Sequence, residues 1–245
     1  MAGYPHAMTT PSQFLLLIAS ASVLVISAAF ASVPDSTFSS ISSAFVDVAG
    51  STAGSPDACS DGRCGTLTVT VRRVGGAPIA GSSVVLDFSN CPDIVIACDQ
   101  LTAVTGQSAF AGKHVIGTTN SLGQFTFHVR GAAPAATPAQ GRTSPGTNAG
   151  MPCARVYADG LLLGSLVVAA YDVNASGSPG FAVSGADVSL VASESIAVAL
   201  GATARARDDY NHDGIVTGMD AAASAAMSLQ AALGTGSQDT GPYCP

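Results

Sequence analysis

The chain has 245 residues, of which only 10% are charged, and its sixteen acidic side chains against nine basic ones leave a formal net charge of −7. This excludes nucleic acid as a partner, because phosphates demand a basic stripe. With no Trp and five Tyr, the aromatic platform of a carbohydrate-binding module is poorly supplied, and carbohydrate is only weakly supported as a ligand.

Residues 14–31 form an apolar run ending in Ala29-Phe30-Ala31, the small-x-small pattern that signal peptidase reads. Cleavage is expected after Ala31, giving a secreted or cell-surface protein. The run is marginally short for a span and no basic stop-transfer segment follows it, so no membrane span is expected after cleavage. The expected organisation is a signal peptide over 1–31, a β domain over 32–169 and a small second module over 170–245.

Residues 32–64 are Ser-rich and hold one expected strand, 44–48. From 65 to 131 the signals are those of strands. Leu67, Val69 and Val71 alternate with Thr66, Thr68, Thr70 and Arg72, the period of two that one buried sheet face requires. Gly75-Gly76-Ala77-Pro78 breaks this run and residues 83–88 start another strand. Further on, a turn over 117–124 leads into alternating Phe125, Phe127 and Val129. The Ala/Pro/Gly/Thr-rich stretch 132–151 reads as an exposed loop. Residues 155–164 carry a hairpin signal around Asp159-Gly160, a pair that accepts the positive φ of a two-residue turn. Short strands at this spacing predict a β-sandwich.

Six cysteines in a secreted chain read as disulfides. Closeness in sequence suggests Cys59 with Cys64 and Cys91 with Cys98, leaving Cys153 for Cys244. No CxxC pair or Cys/His cluster argues for zinc.

The most specific segment is Asp209-Tyr210-Asn211-His212-Asp213-Gly214-Ile215-Val216-Thr217-Gly218-Met219-Asp220. It puts oxygen-bearing side chains at loop positions 1, 3, 5 and 12 and glycine at 6. A hard divalent cation takes about six to eight oxygen ligands at about 2.3–2.6 Å, and alternate residues of a tight loop point inward. The expected calcium ligands are Asp209, Asn211, Asp213, the backbone carbonyl of Ile215, Thr217 through a water, and Asp220. A degenerate copy lies upstream. It has Asp172, Asn174 and Ser176, an insertion containing Pro179-Gly180, and then residues 182–187 ending on Asp187, which match 215–220. Three carboxylates against two predict tighter binding in the second loop. Helices are expected after each loop, over 187–200 and 221–233. Met219, Ala223, Met227, Leu229 and Leu233 are the expected buried stripe of the second, and Val188, Leu190, Val191 and Val198 are available in the first.

These residues resemble the type I dockerin module, a pair of calcium loops each followed by a helix. Ending the loop on Asp220 favours this family over ordinary EF-hands, which end on Glu. The resemblance covers residues 170–233 and implies calcium and a docking function. Dockerins that bind cohesins carry hydroxyl residues at loop positions 10 and 11, where this chain has Gly218-Met219 and Gly185-Ala186. The expected partner is therefore the chain's own sandwich or a neighbouring copy rather than a cohesin. Residues 71–84 and 118–127 resemble phrases of bacterial Ig-like domains, which implies presentation or adhesion.

There is no HExxH, no GxSxG, no phosphate-cradling glycine loop and no pair of glutamates, so no catalytic residues are assigned and the chain is read as a non-enzyme. The expected protein is mainly β, an Ig-like sandwich followed by a small α-helical calcium module, and it binds a protein partner or itself. The alternative is a structural subunit of a calcium-stabilised extracellular fibre, motivated by low charge and by a near absence of Lys to protect sheet edges.

Overall fold

The sequence alternation becomes alternation in space. A computed structural model describes residues 32–50, 66–98, 106–110, 113–133, 147–174 and 183–233; the expected signal segment, Cys59, Cys64, Ser176 and Cys244 lie outside these. In β3 (Thr66–Thr70) Leu67 and Val69 are fully buried and the threonines between them half-buried. β3 runs antiparallel to β1 (Ser40–Ile41) on one side and β8 (Gln124–His128) on the other. A second sheet has the order β2 (Phe45–Val48), β11 (Leu161–Ala170), β10 (Ala154–Ala158), β4 (Ser83–Asp87), β7 (His114–Thr118), β6 (Ser108–Phe110). Its one parallel pairing sets Phe45 to Val48 beside Val167 to Ala170. β5 (Val95–Ile96) and β9 (Gly131–Ala132) form a short separate ladder. The protein is mainly β.

Both larger sheets feed one core, which includes Val46, Leu67, Val69, Leu86, Phe127, Val156 and Leu166. Full burial of each such side chain stabilises by about 1.5–3 kcal/mol relative to exposure. The two segments with Ig-like phrasing are each other's partners. Thr119 Oγ1 donates to the Ile79 carbonyl (2.7 Å) and accepts from Ser82 N–H (2.9 Å). Gly123, at φ +72°, brings its carbonyl to Val71 N–H (2.7 Å), and a Cβ at Gly123 would meet the Val71 carbonyl oxygen at 2.5 Å. Glycine is therefore required there both for conformation and for space. The expected hairpin forms around Asp159 (φ +46°) and Gly160 (φ +85°), with Ala158 facing Leu161.

The expected pairings of Cys91 with Cys98 and of Cys153 with Cys244 are corrected: Cys91 is bonded to Cys153, and Cys98 is disulfide-bonded as well. Cys91 follows β4 and Cys153 precedes β10, and these neighbouring strands pair Asp87 with Arg155. Sheet topology, rather than sequence distance, brings the two sulfurs together. The expected exposed loop over 132–151 is also firmer at its ends than its composition suggests. Ala132 and Ala133 are fully buried, Ala149 N–H donates to Ala204, and Ala206 N–H donates to Thr147.

Two 15-residue helices, α1 (Gly185–Ala199) and α2 (Gly218–Ala232), close the fold. They pack on each other and on the end of the six-stranded sheet through a second core of Ala49, Ala169, Tyr171, Val173, Val183, Val191, Tyr210, Val216 and Met227. β11 ends on Ala170 and passes straight into Tyr171 and Asp172, so the expected boundary at 169/170 falls at the end of a strand inside one compact unit. The buried stripe of α2 is Asp220, Ser224, Met227 and Ala231; Met219, Leu229 and Leu233 face solvent at 71%, 61% and 69% exposure. Asp220 sets this face, because its carboxylate must reach back into the preceding loop. The same constraint operates in α1, where Asp187, Val191 and Glu194 are buried.

Candidate metal centre

The loop over 209–220 is held by its own side chains. Asp209, fully buried, accepts Asp213 N–H on Oδ1 (3.2 Å) and Gly214 N–H on Oδ2 (3.0 Å). Asn211 accepts Asp213 N–H (3.1 Å) and donates through Nδ2 to Asp213 Oδ2 (2.9 Å); Asp213 Oδ1 accepts Ile215 N–H (3.0 Å). Two positions turn left-handed, His212 at φ +55° and Gly214 at φ +90°. Val216 is buried beneath the loop, while the Ile215 side chain is half exposed.

Asp220 closes the ring. Its Oδ1 accepts Tyr210 N–H (2.9 Å), and its Oδ2 accepts both the N–H (2.8 Å) and the hydroxyl (3.2 Å) of Thr217, whose side chain in turn caps α2. The upstream loop closes the same way. Asp187 Oδ1 accepts Val173 N–H (3.0 Å), and its Oδ2 accepts the N–H (2.8 Å) and hydroxyl (2.9 Å) of Ser184, the cap of α1. Position 2 bonds position 12, position 9 bonds position 12, and a capping box starts a helix of the same length, twice. Asp172 is buried, and its Oδ1 accepts Asn174 N–H at 3.4 Å.

Each loop holds one buried carboxylate whose pKa is raised. Burial pushes the Asp187 carboxyl up to about 6, with the charge of Asp172 acting in the same direction against hydrogen bonds from Ser184 and Val173. Asp209 is raised chiefly by burial and further by Asp220 and Asp213, while Gly214 N–H and His212 oppose the shift. Arg207 lies 3.5 Å from Asp208, and among the described residues no Lys or Arg forms an ion pair with Asp209, Asp213, Asp187 or Asp220.

Among the described residues, no three His, Cys, Asp or Glu side chains converge as a metal-ligating cluster. The carboxylates of Asp209, Asp213 and Asp220 face the loop's own hydrogen-bond donors. The donor set nonetheless fits a hard cation. It is all oxygen, it lacks a cationic side chain, and each oxygen of Asp209 and Asp213 has two lone-pair directions of which one hydrogen bond uses one. Comparison with family models, with curated proteins and with solved structures finds no match for the chain.

Sequence reading missed the contacts that bind this loop to the sheet. Tyr210 stacks on Tyr171 at 4.4 Å and its hydroxyl donates to the Ala170 carbonyl (3.1 Å). His212 reaches Asp47 of β2. A charged residue inside the apolar run Phe45-Val46-Asp47-Val48 was the available signal.

Proposed function

We propose that the chain is a secreted, non-catalytic, calcium-binding surface protein in which an Ig-like sandwich for presentation or adhesion carries a dockerin-like pair of calcium loops. The observation that supports this reading most is the repeated closure of the two loops on Asp187 and Asp220, each followed by a capped 15-residue helix. The sheet order adds support for the sandwich half, since the first strand segment divides between sheets: β1 joins β3, and β2 joins β11 in parallel. Asp209, Asn211, Asp213, the Ile215 carbonyl, Thr217 and Asp220 would hold the ion in the second loop, and Asp172, Asn174, Ser176 and Asp187 in the first. The ion would supply positive charge where burial and like charge raise Asp187 and Asp209.

Isothermal calcium titration of the mature chain, with calorimetric melting in calcium and in chelator, tests this. An ion at a hundredfold excess over its dissociation constant stabilises by about 2.7 kcal/mol. No heat of binding and no shift in melting would overturn the reading.

A second reading, a self-associating structural subunit, draws on the uncharged, solvent-facing Met219, Leu229 and Leu233 of α2. Negative-stain microscopy separates the two, because long regular filaments favour the subunit.

A further inference from the structure

His212 is the most costly residue of the second loop. Its backbone is left-handed at φ +55°, a conformation few non-glycine residues adopt. Its ring is nearly as enclosed as its partner, with side-chain exposures of 6% for His212 and 3% for Asp47. Nε2 lies 2.7 Å from Asp47 Oδ1, the ring stacks on Phe45 at 4.0 Å with an interplanar angle of 23°, and Nδ1 is buried with no partner among the described residues. A strained backbone and an unpaired buried nitrogen persist only where the surroundings over-determine them. Here the surroundings are one strand, since Phe45 and Asp47 both belong to β2.

β2 is four residues long and lies at the edge of the six-stranded sheet, where its ladder is formed with β11. The loop also holds the elements beside it. Tyr210, two residues before His212, bonds the carbonyl of Ala170 on β11, the residue that pairs with Val48 of β2. Gly214, two residues after it, has its Cα 3.8 Å from where a Cβ on Gly150 would sit. The loop thus touches both strands of the parallel pair, and His212 is the contact to the outer one.

We propose that His212 is a positioning residue that latches the second loop to β2, so that an ion held by the loop steadies the edge of the sheet as well as α2. The ion half of this statement rests on the calcium reading above; the latch does not. In the absence of the latch, loop and helix would respond to calcium while β2 exchanged its amide hydrogens as before. With it, the ordering of Asn211 and Asp213 on either side of His212 fixes the imidazole, and the imidazole fixes Asp47.

Amide hydrogen exchange on the full mature chain, in calcium and in chelator, reads the two halves separately. In the wild type, calcium should slow exchange at α2 and also slow β2 by about tenfold or more, equivalent to about 1.4 kcal/mol. In His212→Asn, which keeps a side chain that tolerates the left-handed backbone, and in Asp47→Asn, α2 should still slow while β2 no longer responds. A β2 response that survives both substitutions, or a wild-type β2 that ignores calcium while α2 responds, overturns the coupling. If α2 itself does not respond, the calcium reading has failed, and the latch is then judged in chelator by the cycle of single and double variants at 47 and 212. Non-additive melting shifts sustain it, and additive ones remove it. Should Asp47→Asn not fold, His212→Asn compared with Phe45→Ala carries the same decision, because only the former removes the bond to Asp47.

Discussion

The loops over 172–187 and 209–220 share a frame and differ in what fills it. In both, a buried aspartate at the last position gathers the N–H groups of positions 2 and 9 and turns the chain into a capped helix. Only the second carries a third carboxylate, Asp213, and only the second has a described left-handed turn at His212 and Gly214. The first issues directly from β11, so its opening residues inherit their position from the sheet. The second has no strand leading into it and is fastened by side chains instead, through Tyr210 and His212. Frame and filling are thus separable: one aspartate in each loop organises the fold, and under the proposed calcium reading the remaining oxygens would set affinity for the ion.

The sharpest test of that separation is to remove the frame from each copy in turn. Asp220→Ala leaves the buried N–H of Tyr210 and the N–H of Thr217 without their acceptor and breaks a capping box; Asp187→Ala does the same to Val173 and Ser184. An unsatisfied buried donor costs about 1–3 kcal/mol and a lost cap about 1 kcal/mol, so each variant should lose about 3 kcal/mol or more in denaturant unfolding with chelator present. The two losses should be similar. A harmless Asp187→Ala would show that the first loop is held by β11 alone.

Removing the filling should separate the copies. Asp213 is exposed and, among the described residues, bonds only within its loop, so Asp213→Ala in chelator should cost less than about 1 kcal/mol. In calcium at a hundredfold excess the same variant should forgo the additional stabilisation of about 2.7 kcal/mol. Ser176→Ala removes a neutral ligand from a loop interrupted by Pro179-Gly180 and should leave most of that increment in place. Isothermal titration of both variants decides it, and equal losses of calcium affinity would contradict the ranking.

What could be read from the sequence was whatever one segment determines locally. The Thr/Val alternation of β3, the Asp159-Gly160 turn and the capped helices each need only their own residues, and each stands in the structure. What depends on two distant segments was not legible. Cys91 and Cys153 meet because β4 and β10 are neighbours, which no spacing rule encodes. The face of α2 was misjudged because an Ala-rich helix offers apolar residues on every side. Hydrophobic period alone could not choose between Met219 and Met227, whereas the need to bury Asp220 does. By the same logic Glu194 and Ser224, polar residues one would place in water, are buried. His212 and Asp47 belong to this class too, being 165 residues apart in sequence.

The smallest expected effect concerns loop positions 10 and 11, where both copies lack hydroxyls. Met219 was expected either to pack against the chain's own sandwich or to meet a neighbouring copy. At 71% exposure it does not pack on the sandwich; the loop uses Tyr210 and His212 for that. Met219→Asp should therefore change the melting of the monomer by no more than about 0.5 kcal/mol. If a neighbouring copy covers this position, the same substitution should lower the apparent mass in size-exclusion chromatography, because it puts a charge on an uncharged surface. With Gly185-Ala186 in the first copy and Gly218-Met219 in the second, no hydroxyl is available at these positions to bond a cohesin. A folded type I cohesin should then bind either face no more tightly than about millimolar, roughly −4 kcal/mol. Micromolar binding in a titration would show that the exposed Met219 row serves as a cohesin surface of a different, apolar kind, and it would shift the proposed partner from a second copy to that domain.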